Sequence, residues 1–239
     1  MNPDFCRIAL EEFTGCDTGN IQAGSPENPS IWVFGLEHGT YKSINDENED
    51  TRQKTVDENY SVEMQMKWPY NRGVFKLLAS MHPEYGFDAY DKFVSDFRPF
   101  EKDSEGFFKG NLYPFPCRKI SVWSEKAINH TGAATKAEYQ DWCRMNRLPA
   151  IKAWVKKHSP KVFIGVGITH RDEFSQAVFG RKVDLQIHEI TVNGYRKRCF
   201  YYKEDGKNLV VIPHFSGCYG LNSNESIRKA GEFISDFID

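Results

Sequence analysis

A chain of 239 residues with 40% hydrophobic and 27% charged residues and a formal charge of −2 has an ordinary globular composition, and it is long enough to bury a sizeable core. No apolar run approaches the ~18 residues of a membrane span, Met1 to Phe13 carries acids where a secretory leader has a basic start, and six irregularly spaced cysteines read as the reduced thiols of a cytoplasmic protein. Disulfide mini-proteins, coiled coils and disordered chains are excluded, and any nucleic-acid contact has to rest on a local basic patch.

Asn20 to Ser30, rich in Gly, Pro, Asn and Ser, reads as a loop. It leads into the continuous apolar run Ile31 to Phe34, which suits a strand buried on both faces. Lys42 to Lys67 holds seven acids and few apolar residues and is expected to be an exposed insertion or flap. One-face spacing predicts a helix through Val74, Leu77, Leu78 and Met81. It predicts another through Tyr90, Phe93, Val94 and Phe97, capped by Asp88. Phe107 to Pro116 reads as a short strand running into a proline-stiffened loop. Thr135 and Glu138 have capping-box spacing, and Pro149 restarts a helix with Ile151, Trp154 and Val155 on one face. Lys161 to Gly167 is another buried-type strand, and Asp172 to Phe179 a helix closed by Gly180. Val183, Leu185 and Ile187 alternate with polar residues, as do Ile190 and Val192 after a one-residue slip. Asn193-Gly194 then turns the chain into Tyr195 to Lys203, a hairpin. Asp205-Gly206 leads into Asn208 to Pro213, and Asn222 with Glu225 caps a last helix bearing Ile227, Ala230, Ile234 and Phe237. This order predicts an α/β fold in one domain, residues 1–239: a mainly parallel central sheet with helices on both faces and an inserted antiparallel hairpin.

Ligands of open α/β sheets bind beyond the carboxyl ends of the strands. There the chain places Gly35-Leu36-Glu37-His38-Gly39 after the first strand, Asn111 near the end of the second, and His214-Phe215-Ser216-Gly217 after the last. A carboxylate, a carboxamide and an imidazole would converge on one edge if the sheet is parallel. This constellation resembles the uracil-DNA glycosylase superfamily, from about Ile31 to the last helix. Gly35 to Gly39 is similar to that family's G-Q-D-P-Y or G-x-N-P-G motif, and His214 to Gly217 to its H-P-S-P motif. Cys218 to Asn224 is similar to the loop that wedges into the duplex. His38 and Phe215 stand where the family has prolines, and Gly39 where its uracil-specific branch has a tyrosine that rejects 5-methyl groups.

The resemblance implies a monofunctional DNA glycosylase without cofactor or metal, expected to be monomeric. Glu37 would steady the oxocarbenium-like sugar and orient water, and His214 would donate to a base oxygen. Asn111 would read the pyrimidine edge, with Gly35 and Gly39 giving close approach. Phe215, Tyr219 or Tyr41 would stack on the base or fill its gap, and Ser216 would pinch a phosphate. His38 reads equally as a loop former or a DNA contact. The missing tyrosine ring points to a C5-substituted pyrimidine, as in divergent members that look like antiphage enzymes stripping glucosylated hydroxymethylcytosine from viral DNA. Arg196, Arg198 and Lys203, interleaved with aromatics, are the candidate DNA-backbone contacts, although a hairpin alternates charge and ring in any case. His170 and Arg171 read as phosphate contacts or as a helix-starting loop. No Cys-x-x-Cys pair is present to hold an iron–sulfur cluster. The rival readings are uracil or mismatch repair, a nucleoside or nucleotide hydrolase, and a non-catalytic DNA-binding module.

Overall fold

The computed structural model describes residues 1–11, 24–37, 60–115 and 123–238. Six strands form one sheet: β1 (Ile31–Glu37), β2 (Phe107–Tyr113), β3 (Val162–Val166), β4 (Gln186–Val192), β5 (Tyr195–Glu204) and β6 (Lys207–Ile212), in the order β2-β1-β3-β6-β5-β4. The first four strands of that order are parallel, and β5 and β4 continue antiparallel. The expected α/β sheet with its hairpin is therefore present. Both hairpin turns have positive φ at both central residues, Asn193 (49°) with Gly194 (78°) and Asp205 (51°) with Gly206 (73°). Those values suit the right-handed twist of the strands that they join.

The helices are α1 (Pro3–Glu11), α2 (Val62–Gln65), α3 (Pro69–Ser80), α4 (Tyr90–Phe97), α5 (Glu125–Thr131), α6 (Lys136–Trp142), α7 (Leu148–His158), α8 (Arg171–Phe179) and α9 (Asn224–Ile238). Strand alternation feeds two cores. Ile31, Val33, Ile164, Val210 and Ile212 pack with α3, α4 and α9 on one face. Trp32, Phe34, Phe163, Leu209 and Val211 pack with α1, α6, α7 and α8 on the other. A π-helical segment, Cys143–Arg147, joins α6 to α7, so Pro149 lies in the first turn of a continuing helix.

Four expectations are corrected locally. Asp88 lies inside a 3₁₀ turn, Phe87–Ala89, and α4 has no side-chain cap. β4 begins at Gln186, leaving Ile187 51% exposed, because β4 is the edge strand and α9 covers only its Ile190 and Val192 face. The last helix is capped by Ser223 and Ser226, each amide donating to the other's hydroxyl at 3.2 Å, instead of by Asn222 and Glu225. Of the acidic stretch, residues 60–67 are described, and there Tyr60, Val62 and Gln65 are buried instead of solvated. Among the described residues no helix is long and apolar enough to cross a membrane.

Candidate functional site

Parallel register brings the expected strand ends together. Gly35 pairs with Asn111 and Glu37 with Tyr113. Phe34 pairs with Gly165, and Val166 with Ile212. Glu37 and His214 thus lie at one height, each two residues beyond a common level, on strands separated by β3.

The two side chains are held from different sides. The Glu37 carboxylate is 2.8 Å from the Lys136 ammonium at the start of α6, with only 8% and 11% of the two side chains exposed. Lys136 is placed by the helix start: Thr135 accepts the Glu138 amide, and Glu138 accepts the Thr135 amide. Beyond β6, His214 lies against α3, its ring 5.6 Å from that of Tyr70.

The His214 loop is built from the chain outward. Leu221 donates its amide to the His214 carbonyl at 2.8 Å. A Cβ on Gly220 would lie 2.2 Å from the Ser216 carbonyl oxygen, so only glycine permits this closure. Lys197, 7% exposed, donates from Nζ to the Cys218 carbonyl at 2.7 Å and tethers the loop to β5. His214 Nδ1 accepts the Ser216 amide at 3.2 Å and is 2.8 Å from Ser216 Oγ. An accepting Nδ1 carries no proton, so the ring proton is on Nε2. His214 is an exposed residue by surface area, yet partial desolvation lowers the imidazole's pKa, which favours this neutral form.

Asn111 is 8% exposed and borders Gly35; a Cβ at residue 35 would lie 2.6 Å from its Oδ1. The Asn111 carbonyl accepts from Arg147 Nε at 3.2 Å and Nη2 at 3.0 Å, and Arg147, fully buried, also donates to the Ala9 carbonyl. Arg147 therefore anchors the end of β2 to the π-helical segment and α1.

The remaining expected residues separate into groups. Phe215 is a packing residue: its ring lies 2.7 Å from where a Cβ on Gly73 would be, and it meets Tyr70 edge-on at 5.6 Å. It is partly buried against α3. Tyr219 is 85% exposed at the loop tip, and Tyr195 is 72% exposed at the neighbouring hairpin turn. Arg196 and Arg198 lie at this same end, both drawn to Glu189 at 3.6 and 3.0 Å. Lys203 is corrected. It pairs with Asn208 at the far end of β6, about 20 Å from His214 at ~3.3 Å per residue, because a ten-residue strand runs the length of the sheet. His170 and Arg171 are spent within the helix start, His170 Nδ1 3.3 Å from Glu173 and Arg171 donating to the Ile168 carbonyl. His38, Gly39 and Tyr41 lie outside the described residues.

Lys136, Tyr70 and Arg147 were not singled out from sequence. Only the capping box next to Lys136 offered a signal, and that signal concerned the helix. No protein-family model matches the chain, and no curated protein matches it.

Proposed function

We propose that the chain is a DNA glycosylase of uracil-DNA glycosylase-like fold, hydrolysing the N-glycosidic bond of a flipped-out, C5-substituted pyrimidine and leaving an abasic site. The observation that carries this reading is the arrangement at one sheet end. A carboxylate, a carboxamide and a neutral imidazole with an Nε2–H donor stand at or just beyond three strand ends along one edge of the sheet.

The chemistry follows from the bond. As it breaks, its electron pair leaves with the base and positive charge grows at C1′. Glu37 steadies that charge and orients the water whose oxygen bonds to C1′. His214 donates from Nε2 to the base oxygen on which negative charge collects; such a donor is typically worth about 3–4 kcal/mol. Asn111 reads the base edge. Exposed Tyr219 is suited to fill the space a flipped base vacates, and Tyr195, Arg196 and Arg198 flank it. Lys136 is engaged by Glu37 as an ammonium, which supports hydrolysis by water in place of attack by an amine.

The C5 substituent is inferred from the resemblance, which sets Gly39 where the uracil-specific branch has an obstructing tyrosine; glucosylated hydroxymethylcytosine in phage DNA is the favoured substrate, and antiviral defence the role. One observation favours a second reading, hydrolysis of a free nucleoside: Glu189 already neutralises part of the Arg196 and Arg198 charge. The test incubates the protein with DNA bearing glucosylated hydroxymethylcytosine, uracil or thymine mismatches, then cleaves abasic sites with alkali. Strand breaks with the first substrate support the proposal. Intact strands with every substrate, together with base release from free nucleosides, establish the second reading.

A further inference from the structure

Tyr70, the second residue of α3, stands between the two halves of the site. Its ring is 5.6 Å from both His214 and Phe215. Its hydroxyl is 3.3 Å from the point a Cβ on Gly35 would occupy, and Asn111 Oδ1 is 2.6 Å from that same point. Hydroxyl and carboxamide therefore both close in on Gly35, an approach that a side chain at residue 35 would obstruct. The hydroxyl is shielded from solvent and has no hydrogen-bond partner among the described residues. Buried polar groups are nearly always paired, and the exceptions call for a ligand, a water or a function. Burial raises the phenol's pKa, so at neutral pH it keeps its proton and acts as a donor.

We propose that Tyr70 is a specificity-determining residue, its hydroxyl and the Asn111 carboxamide together holding the hydrogen-bonding edge of a pyrimidine over Gly35. The ligand atom facing Tyr70 is an acceptor, a ring nitrogen or a carbonyl oxygen. The same side chain braces His214 through its ring, so one residue couples base reading to placement of the imidazole. This rests on the glycosylase reading for the identity of the ligand as a nucleobase.

The decisive comparison is Tyr70→Phe against the wild type. The readouts are NMR titration with free 5-hydroxymethylcytosine and kinetics of base release from DNA. Losing one hydrogen bond to the base weakens binding about tenfold. KM rises and kcat changes little, because the ring against His214 remains. Thermal stability is unchanged or higher, since the lost hydroxyl has no protein partner, and a merely structural tyrosine would not dissociate KM from stability in this way. Gly35→Ala, whose methyl group would displace the Asn111 carboxamide, weakens binding at least as much. Equal affinity in wild type and Tyr70→Phe, or free base binding to neither, overturns the inference. Base binding that depends on Tyr70 without any release from DNA supports the inference and overturns the glycosylase reading.

Discussion

Glu37 and Lys136, 99 positions apart in the chain, form an ion pair of 2.8 Å that is almost wholly withdrawn from water. The carboxylate at the end of β1 is therefore fixed in place by the first residue of α6. Lys136→Met leaves that carboxylate buried and uncompensated, at a cost of about 3–5 kcal/mol. Urea unfolding of Lys136→Met, Glu37→Gln and the double variant checks this, with the double variant recovering much of the loss. Base release is abolished in Glu37→Gln while the fold remains, and borohydride traps no DNA adduct on the wild type. An adduct at Lys136 would replace hydrolysis with amine chemistry.

The neutral imidazole of His214 sets a pH dependence. Its folded pKa lies below the ordinary value, so the native state binds fewer protons than the unfolded chain as pH falls. Its contribution to stability is complete above about 6.5 and is lost as pH falls through the folded pKa. Base release should stay level down to about pH 6.5 and decline below it, because a protonated Nδ1 no longer accepts the Ser216 amide. His82, His158 and His188 share the lowered pKa and the same sign. His214→Asn therefore isolates the site's part when unfolding is measured against pH. An acid limb centred above 6.5 would refute the assignment.

The loop carrying His214 depends on Lys197. Lys197→Met removes the hydrogen bond to the Cys218 carbonyl, lowering stability by about 0.5–1.5 kcal/mol, and slows base release by loosening the imidazole. Tyr219→Ser, at an 85% exposed position, leaves stability within about 0.5 kcal/mol and weakens binding to duplex DNA more than to single strands. Calorimetry and fluorescence anisotropy separate the two effects.

Salt dependence distinguishes the basic residues. Arg198→Ala should reduce the slope of log affinity against log salt by about 1 or less, since Glu189 shares the guanidinium. Lys203→Ala, at the other end of the sheet, should leave it unchanged. Equal effects of the two would place DNA elsewhere.

Arg147 tests the second strand end. Arg147→Lys removes the planar fork that satisfies the Asn111 and Ala9 carbonyls. Stability falls by about 1–3 kcal/mol for each carbonyl left unpaired. Base release falls with it, because Asn111 loses its anchor; unchanged unfolding in urea would show that other groups satisfy these carbonyls.

Local chemistry made much of the fold legible. Buried-type apolar runs marked β1, β3 and β6, two positive-φ turns marked the hairpins, and Thr135 with Glu138 marked the start of α6. These signals are short-range, carried by side-chain periodicity and by backbone conformations that few residues adopt. They were less secure where neighbouring residues competed for one role, as Ser223 and Ser226 displaced Asn222 and Glu225 at the cap of α9.

From sequence alone came the strand ends and the residue types at them: Glu37, Asn111 and His214. Only the tertiary structure decided how those side chains are held. Lys136 reaches Glu37, Arg147 grips Asn111, Tyr70 spans from Gly35 to His214, and Phe215 is consumed against Gly73. Each of these contacts joins elements distant in the chain, and its geometry depends on how helices settle on a sheet. Pattern along a sequence reports which face a residue occupies, whereas the partner across that face is chosen by packing.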